Sequence, residues 1–202
     1  MNPSENATID VIKARRSVRQ YSDTPVPHEL IMKVLEAANC APSAHNSQSW
    51  RFIVLRGTKK DELAKLVSNK AESFTRPTSV LLRMSAKSIY SAPVVIAVAN
   101  TSELVRHGTE TFKVDKEVGR DFFRTMEIQN SAAAVENMLI AATALGISSV
   151  WLGILFLIKH DVLEFMGESD GEFMAVVPMG YAVRENCNPS KRNVQEVTRF
   201  LD

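Results

Sequence analysis

The run Pro93-Val94-Val95-Ile96-Ala97-Val98-Ala99 constrains the fold more than any other part of this chain. A continuous apolar stretch of this length reads as a strand. Alternate side chains leave a strand on opposite sides, so this one must be covered on both faces. Residues Gly119 to Leu145 add a second constraint, because they form the most helical part of the sequence. Their second half, Ala132 to Leu145, is apolar nearly all round, interrupted by Glu136 and Asn137. Such a helix is buried on several sides, either in the core or against a second subunit. The expected architecture is α+β, with helices around a small mixed sheet, in one domain spanning residues 1–202.

The remaining elements follow from local signals. Thr8 is placed to cap a short helix carrying Ile9, Val11 and Ile12 towards Arg15 and Arg16. Pro27 suits a first helical residue, and Leu30, Ile31, Val34, Leu35 and Ala38 then recur at helical spacing until Pro42. Trp50 to Leu55 reads as a strand ending at Gly57, and Lys59 to Ser68 as an exposed helix. Asn69 to Ser91 gives no clear pattern. Thr101 to Lys116 has mixed polarity and no sustained period, so it is expected to be a loop or mobile lid. After Gly146 come an extended segment over Ile147–Gly153, a helix over Lys159–Met166 and a strand over Phe173–Tyr181. The last twenty residues are polar with little core content, and a partner subunit is the obvious surface for them to wrap.

Charge and cysteine usage narrow the function classes. A formal net charge of +1 provides no bulk field for nucleic acid or an acidic membrane. Cys40 and Cys187 stand far apart, with neither a metal-ligand spacing nor a disulfide framework. The longest uncharged apolar stretch, Val150 to Ile158, falls short of the ~20 residues a membrane helix needs. A cytoplasmic protein is expected.

Two segments carry the chemistry. Arg15-Arg16-Ser17-Val18-Arg19 gathers three cations and a hydroxyl. Guanidinium forks match phosphate oxygens, and a serine adds a short donor. By itself such a cluster equally fits a solvated helix end. Lys191 and Arg192 supply further cations near the C-terminus, while Arg16 is expected to point away on the opposite helix face. The second segment, Ala41 to Trp50, is a turn of small and amide-bearing residues including Pro42, Ser43, Asn46 and Gln48. It suits a flat, hydrogen-bonding ligand, although Pro, Ser and Asn are also routine turn residues. Gly153, following Trp151-Leu152, allows close backbone approach. Dinucleotide-binding, P-loop, zinc-protease and serine-hydrolase motifs are missing from the sequence. An enzyme without its own acid–base set borrows the chemistry of a cofactor.

With these blocks in place the chain resembles the FMN-dependent nitroreductase family. The resemblance rests on Arg15-Arg16-Ser17-Val18-Arg19 and on Ala41-Pro42-Ser43 with Asn46, Gln48 and Trp50. It continues through Ala133–Ala142, Leu145-Gly146, Ser149 to Gly153, and Val177 to Tyr181. It implies an intertwined homodimer with FMN at the subunit interface and NADH or NADPH as electron donor. The implied cofactor-binding set is Arg15, Arg16, Ser17, Arg19, Pro42, Ser43, Asn46, Gln48, Leu152, Gly153, Lys191 and Arg192. Within it Arg15, Ser17 and Arg192, aided by Lys191, would hold the phosphate, and Arg19 would sit by the N1/O2 edge of the flavin. Leu152 and Gly153 would offer backbone N–H groups towards N5 and O4. Pro42, Ser43 and Asn46 would reach the flavin bound mainly by the other subunit. The implied activity is hydride transfer from NAD(P)H through flavin N5 to a small electron-poor acceptor, a nitroaromatic or quinone, by a ping-pong scheme. No side chain is assigned as catalytic acid or base, and no metal is implied. The alternative is a flavin-binding module, or a specialised flavoenzyme of cofactor biosynthesis or dehalogenation. The acceptor pocket would be shaped by Thr101–Lys116 and Phe122–Met126.

Overall fold

The computed structural model describes residues 6–184 and 189–201, so expectations about Cys187 and residues 1–5 lie outside them. The apolar run forms β2 (Val94–Asn100), every residue of which is buried. It pairs antiparallel with β1 (Trp50–Leu55) on one side and β4 (Glu172–Gly180) on the other. A two-residue β3 (Ser148–Ser149) completes the order β1-β2-β4-β3. All four strands are antiparallel to their neighbours. The mixed character expected of the sheet is confined to an isolated parallel bridge between Ser17 and Ser149.

Both faces of β2 are covered, as its composition requires. Val95, Ala97 and Ala99 face a core that includes Leu63 and Val67 of α3 (Thr58–Lys70) and Leu82 and Ile89 of α4 (Thr78–Ser91). Leu163 of α7 (Lys159–Met166) joins the same core. Val94, Ile96 and Val98 face Ile31 and Val34 of α2 (His28–Asn39), with Ala134, Met138 and Ala142 of α6 (Lys116–Ala144). Each such valine or isoleucine, fully buried, contributes about 1.5–3 kcal/mol. The central strand is therefore the main support of both cores.

Several local expectations change. Asn6, not Thr8, caps α1 (Ala7–Ala14), its Oδ1 accepting the amides of Thr8 at 3.0 Å and Ile9 at 3.4 Å. Asn69–Ser91, which showed no clear pattern, contains α4. The Thr101–Lys116 segment is not a loop, since it holds α5 (Glu103–Thr111) packed against α6. This helix buries only Leu104 and Gly108, so its sequence shows too sparse a period to be read. The extended segment over Ile147–Gly153 shrinks to β3 and passes at Gly153 into a 3-10 turn ending at Ile158.

Candidate cofactor site

The basic segment is not a helical turn. Helix α1 stops at Ala14, and residues 17–22 run extended along the end of the sheet. The reason is burial. Val18 is drawn into the core and its amide donates to the Ser149 carbonyl at 3.0 Å. Tyr21 is also buried, its hydroxyl shared between the carbonyls of Val18 at 2.5 Å and Pro178 at 3.0 Å. Burial pushes the Tyr21 phenol well above its ordinary range, so it stays neutral. Gly180 is required here, because a Cβ would lie 2.5 Å from the Pro93 ring. With Val18 turned inward, strand alternation leaves Ser17 and Arg19 exposed on the opposite side.

That side opens on two adjoining cavities. One, of about 480 Å³, is lined by Ser17, Arg19, Gln20, Met84, Lys87 and Arg184 among others. The second, of about 200 Å³, is lined by Arg19, Met84, Trp151, Leu152, Gly153 and Ile154 among others. Arg19 and Met84 belong to both, so the two cavities adjoin and together make the cleft between Ser17 and the Leu152–Gly153 backbone. At Gly153 a Cβ would meet nothing nearer than the Trp151 indole nitrogen at 3.9 Å, which leaves the backbone open to a ligand. The polar rim is cationic, with Arg19, Lys87 and Arg184 around the Ser17 hydroxyl.

Not all of the expected residues meet there. Arg15 lies 3.9 Å from Glu136 and lines neither cavity. Arg16 turns its guanidinium back onto the carbonyls of Lys13 at 2.6 Å and Arg15 at 2.7 Å, at the negative end of α1. It thus lies beyond the helix end, not on a helix face. Lys191 and Arg192 belong to an exposed tail and line neither cavity within one chain. The Pro42–Gln48 turn also lies outside the cleft. It is held instead by α6, where Asn130 accepts the Ala44 amide at 3.0 Å and donates to Ser47 Oγ at 3.3 Å. His45, Asn46 and Gln48 all have positive φ, at 54°, 51° and 46°. Left-handed backbone at successive non-glycine positions is strained and persists where surrounding contacts enforce it. The side chains of Asn46 and Gln48 are consequently presented to solvent, with Gln48 Nε2 donating to Asn46 Oδ1 at 3.0 Å. His45 packs at 6.2 Å against Phe112, which in turn meets Phe123 at 5.3 Å.

Met84 and Lys87 of α4, together with Arg184, are site residues that the motifs did not reveal. A signal existed. Ser79, Leu82, Ala86 and Ile89 repeat at helical spacing as the buried face, which places Met84, Lys87 and Ser91 together on another.

A model described as the nitroreductase family matches residues 12–181, and the chain belongs to that family. A Methanothermobacter thermautotrophicus protein provisionally named NADH dehydrogenase/NAD(P)H nitroreductase is 30% identical, covering 98% of this chain and 87% of its own. Among solved structures, a Desulfovibrio desulfuricans protein described as a nitroreductase in complex with FMN superposes with a TM-score of 0.73. It is 26% identical and covers 98% of each chain. A BluB-like flavoprotein from Clostridium difficile reaches 0.76 at 25% identity, over 98% of this chain and all of its own.

Proposed function

We propose that the cleft from Ser17 to Gly153 holds FMN and that the protein is an NAD(P)H-dependent flavin oxidoreductase. The observation that carries this reading is Arg19, shared between a hydroxyl-and-cation end and an open backbone end. That donor set fits the group: cations and a serine suit a phosphate dianion, and the open backbone at Gly153 suits the carbonyl and nitrogen edge of a flat ring. The Leu152 amide, expected to serve there too, is instead spent on the Val176 carbonyl at 2.9 Å, because it continues the pairing beside β4. The likeness to the FMN-complexed Desulfovibrio structure supports the same assignment. FMN, when bound, supplies two-electron hydride exchange. The chain's own residues hold and tune it. Arg19, which lines both cavities, would favour the negative charge that accumulates on reduction, Lys87 and Arg184 would hold the phosphate end, and the backbone at Gly153 would orient the ring edge.

Completion of the site by a second copy belongs to this proposal. The strained Pro42–Gln48 turn would cover a flavin held by the partner, and Lys191 or Arg192 would join Ser17 at the phosphate, with Arg15 swinging there from its place beside Glu136. The protein would then act as a cytoplasmic homodimer of one flavin-binding domain per chain. Donor and acceptor would use one exposed face in turn, so initial-rate plots are expected to be parallel. The acceptor class proposed is a small electron-poor ring, a nitroaromatic or a quinone.

The test is flavin content. Purified protein is expected to be yellow or to take up added FMN, and Arg15→Ala combined with Arg192→Ala should release it. Colourless protein that ignores added FMN overturns the reading, while unchanged flavin content in the double variant overturns the phosphate assignment. A second reading, a bound flavin without nicotinamide turnover, is equally compatible with the likeness to a protein described only as a flavoprotein. Anaerobic stopped-flow mixing with NADH and NADPH separates the two, because only the first reading requires rapid bleaching of the flavin.

A further inference from the structure

The largest of the described cavities is not the cofactor cleft. It encloses about 950 Å³ between α5, the first half of α6, the start of α7 and the loop leading into β4. Glu172 begins β4 and Gly180 ends it beside Ser148, so this cavity and the Ser17 cleft lie at opposite ends of that strand.

Its lining is basic in a way the fold does not require. Arg106 comes from α5, Lys116, Arg120 and Arg124 from α6, and Lys159 and His160 from α7. Lys116, Arg120 and Arg124 stand four residues apart on one ridge, where like charges repel. Lys116 and Arg120 lie near the N-terminal end of α6, and Lys159 opens α7. Cations are unfavourable there, because the N-terminal end of a helix is its positive pole. Both effects cost stability, yet the charges converge on one space. Glu110, Asp170 and Glu172 also line it, and Arg124 is ion-paired with Glu172. Setting that pair aside leaves Arg106, Lys116, Arg120 and Lys159 against Glu110 and Asp170, a local excess of two positive charges in a chain whose net charge is +1.

The floor is fixed. A Cβ at Gly171 would fall 2.5 Å from the Asn100 carbonyl oxygen, so the loop is pressed onto the end of β2. Lys159 is held over the Phe156 ring at 4.5 Å, and an Arg106 guanidinium nitrogen donates to the Thr101 carbonyl at 3.3 Å. The volume lies in the range of small-molecule sites.

We propose that this cavity binds a small phosphate-bearing anion at a site separate, within the chain, from the cofactor cleft. Guanidinium and ammonium groups from three helices would surround the phosphate oxygens, relieving the repulsion along α6. The proposal does not rest on the flavin assignment.

Isothermal titration of the purified protein, in whatever flavin state it is isolated, with pyrophosphate in about 150 mM NaCl tests it. That ionic strength suppresses diffuse surface binding. Saturable binding of one pyrophosphate per chain is expected, with flavin absorbance unchanged. The Arg120→Ala, Lys159→Ala double variant should weaken binding at least tenfold. Both residues are partly or wholly exposed, so folding should be unaffected, and circular dichroism checks this. A parallel titration with ADP separates sources: equal affinity marks a site for the phosphate groups alone, tighter ADP a nucleotide site, and either supports the proposal. No saturable binding, binding unchanged in the double variant, or binding that displaces FMN overturns it.

Discussion

Glu127 is a fully buried carboxyl whose Oε1 accepts the Leu104 amide at 2.8 Å. Burial raises its pKa above the ordinary carboxylate value, and the amides of Leu104 and Val105 only partly oppose that. The proton is therefore held more tightly in the folded chain than in the unfolded one. Its contribution is complete below the ordinary carboxylate range and is lost as pH rises through the raised value. Denaturation midpoints should fall with rising pH across that window, and Glu127→Gln should flatten the dependence. A variant with the same slope as the parent contradicts the assignment. Arg19 offers a second test at this scale. A charge-assisted hydrogen bond contributes about 1.5–3 kcal/mol, so Arg19→Ala should make the flavin potential more negative by roughly 30–60 mV, measurable by equilibration with a reference dye.

Helix α5 shows how an element with weak local signals is held by its neighbours. Ser102, preceding it, has φ of 60° and offers no side-chain cap. The cap comes instead from Glu127 on α6. Farther along, Gly108 lies against the Phe123 ring, where a Cβ would fall 2.4 Å from the nearest ring atom. In a free helix Gly→Ala gains about 1 kcal/mol, whereas forced overpacking costs about 1–3 kcal/mol. Phe123 is almost wholly buried and has nowhere to move, so overpacking should dominate. Gly108→Ala is expected to lower stability by about 1–2 kcal/mol and to speed amide exchange in α5, where a stabilised variant would refute the close-packing argument. Neither Glu127 nor Gly108 could be paired with its partner from local sequence, because each interaction joins elements at least fifteen residues apart. Expecting a lid there was the natural result of reading α5 alone.

At the scale of the molecule, the tail exposes Val194, Val197, Phe200 and Leu201, the last two at 82% and 79%. None of its described residues is buried, so the body of the chain does not depend on it for its core. Deleting residues 189–202 should leave far-ultraviolet circular dichroism intact. Under the proposed dimer, the same deletion should abolish association and flavin retention, read by light scattering and visible absorbance. A truncated protein that stays dimeric and yellow would remove the tail from the site.

The sequence alone determined the two-sided burial of Val94–Ala99 and the long helix through Ala132–Leu145, because periodicity and composition act locally and one strand or helix suffices to show them. It also marked Ser17, Arg19, Leu152 and Gly153, which the fold brings onto one cleft. Tertiary structure decided the rest. Burial of Val18 and Tyr21 turned a suspected helix end into an extended segment, and α4 delivered Met84 and Lys87 to the same space. Those outcomes depend on which surfaces meet across the sheet, a long-range free-energy balance that no short window of residues contains.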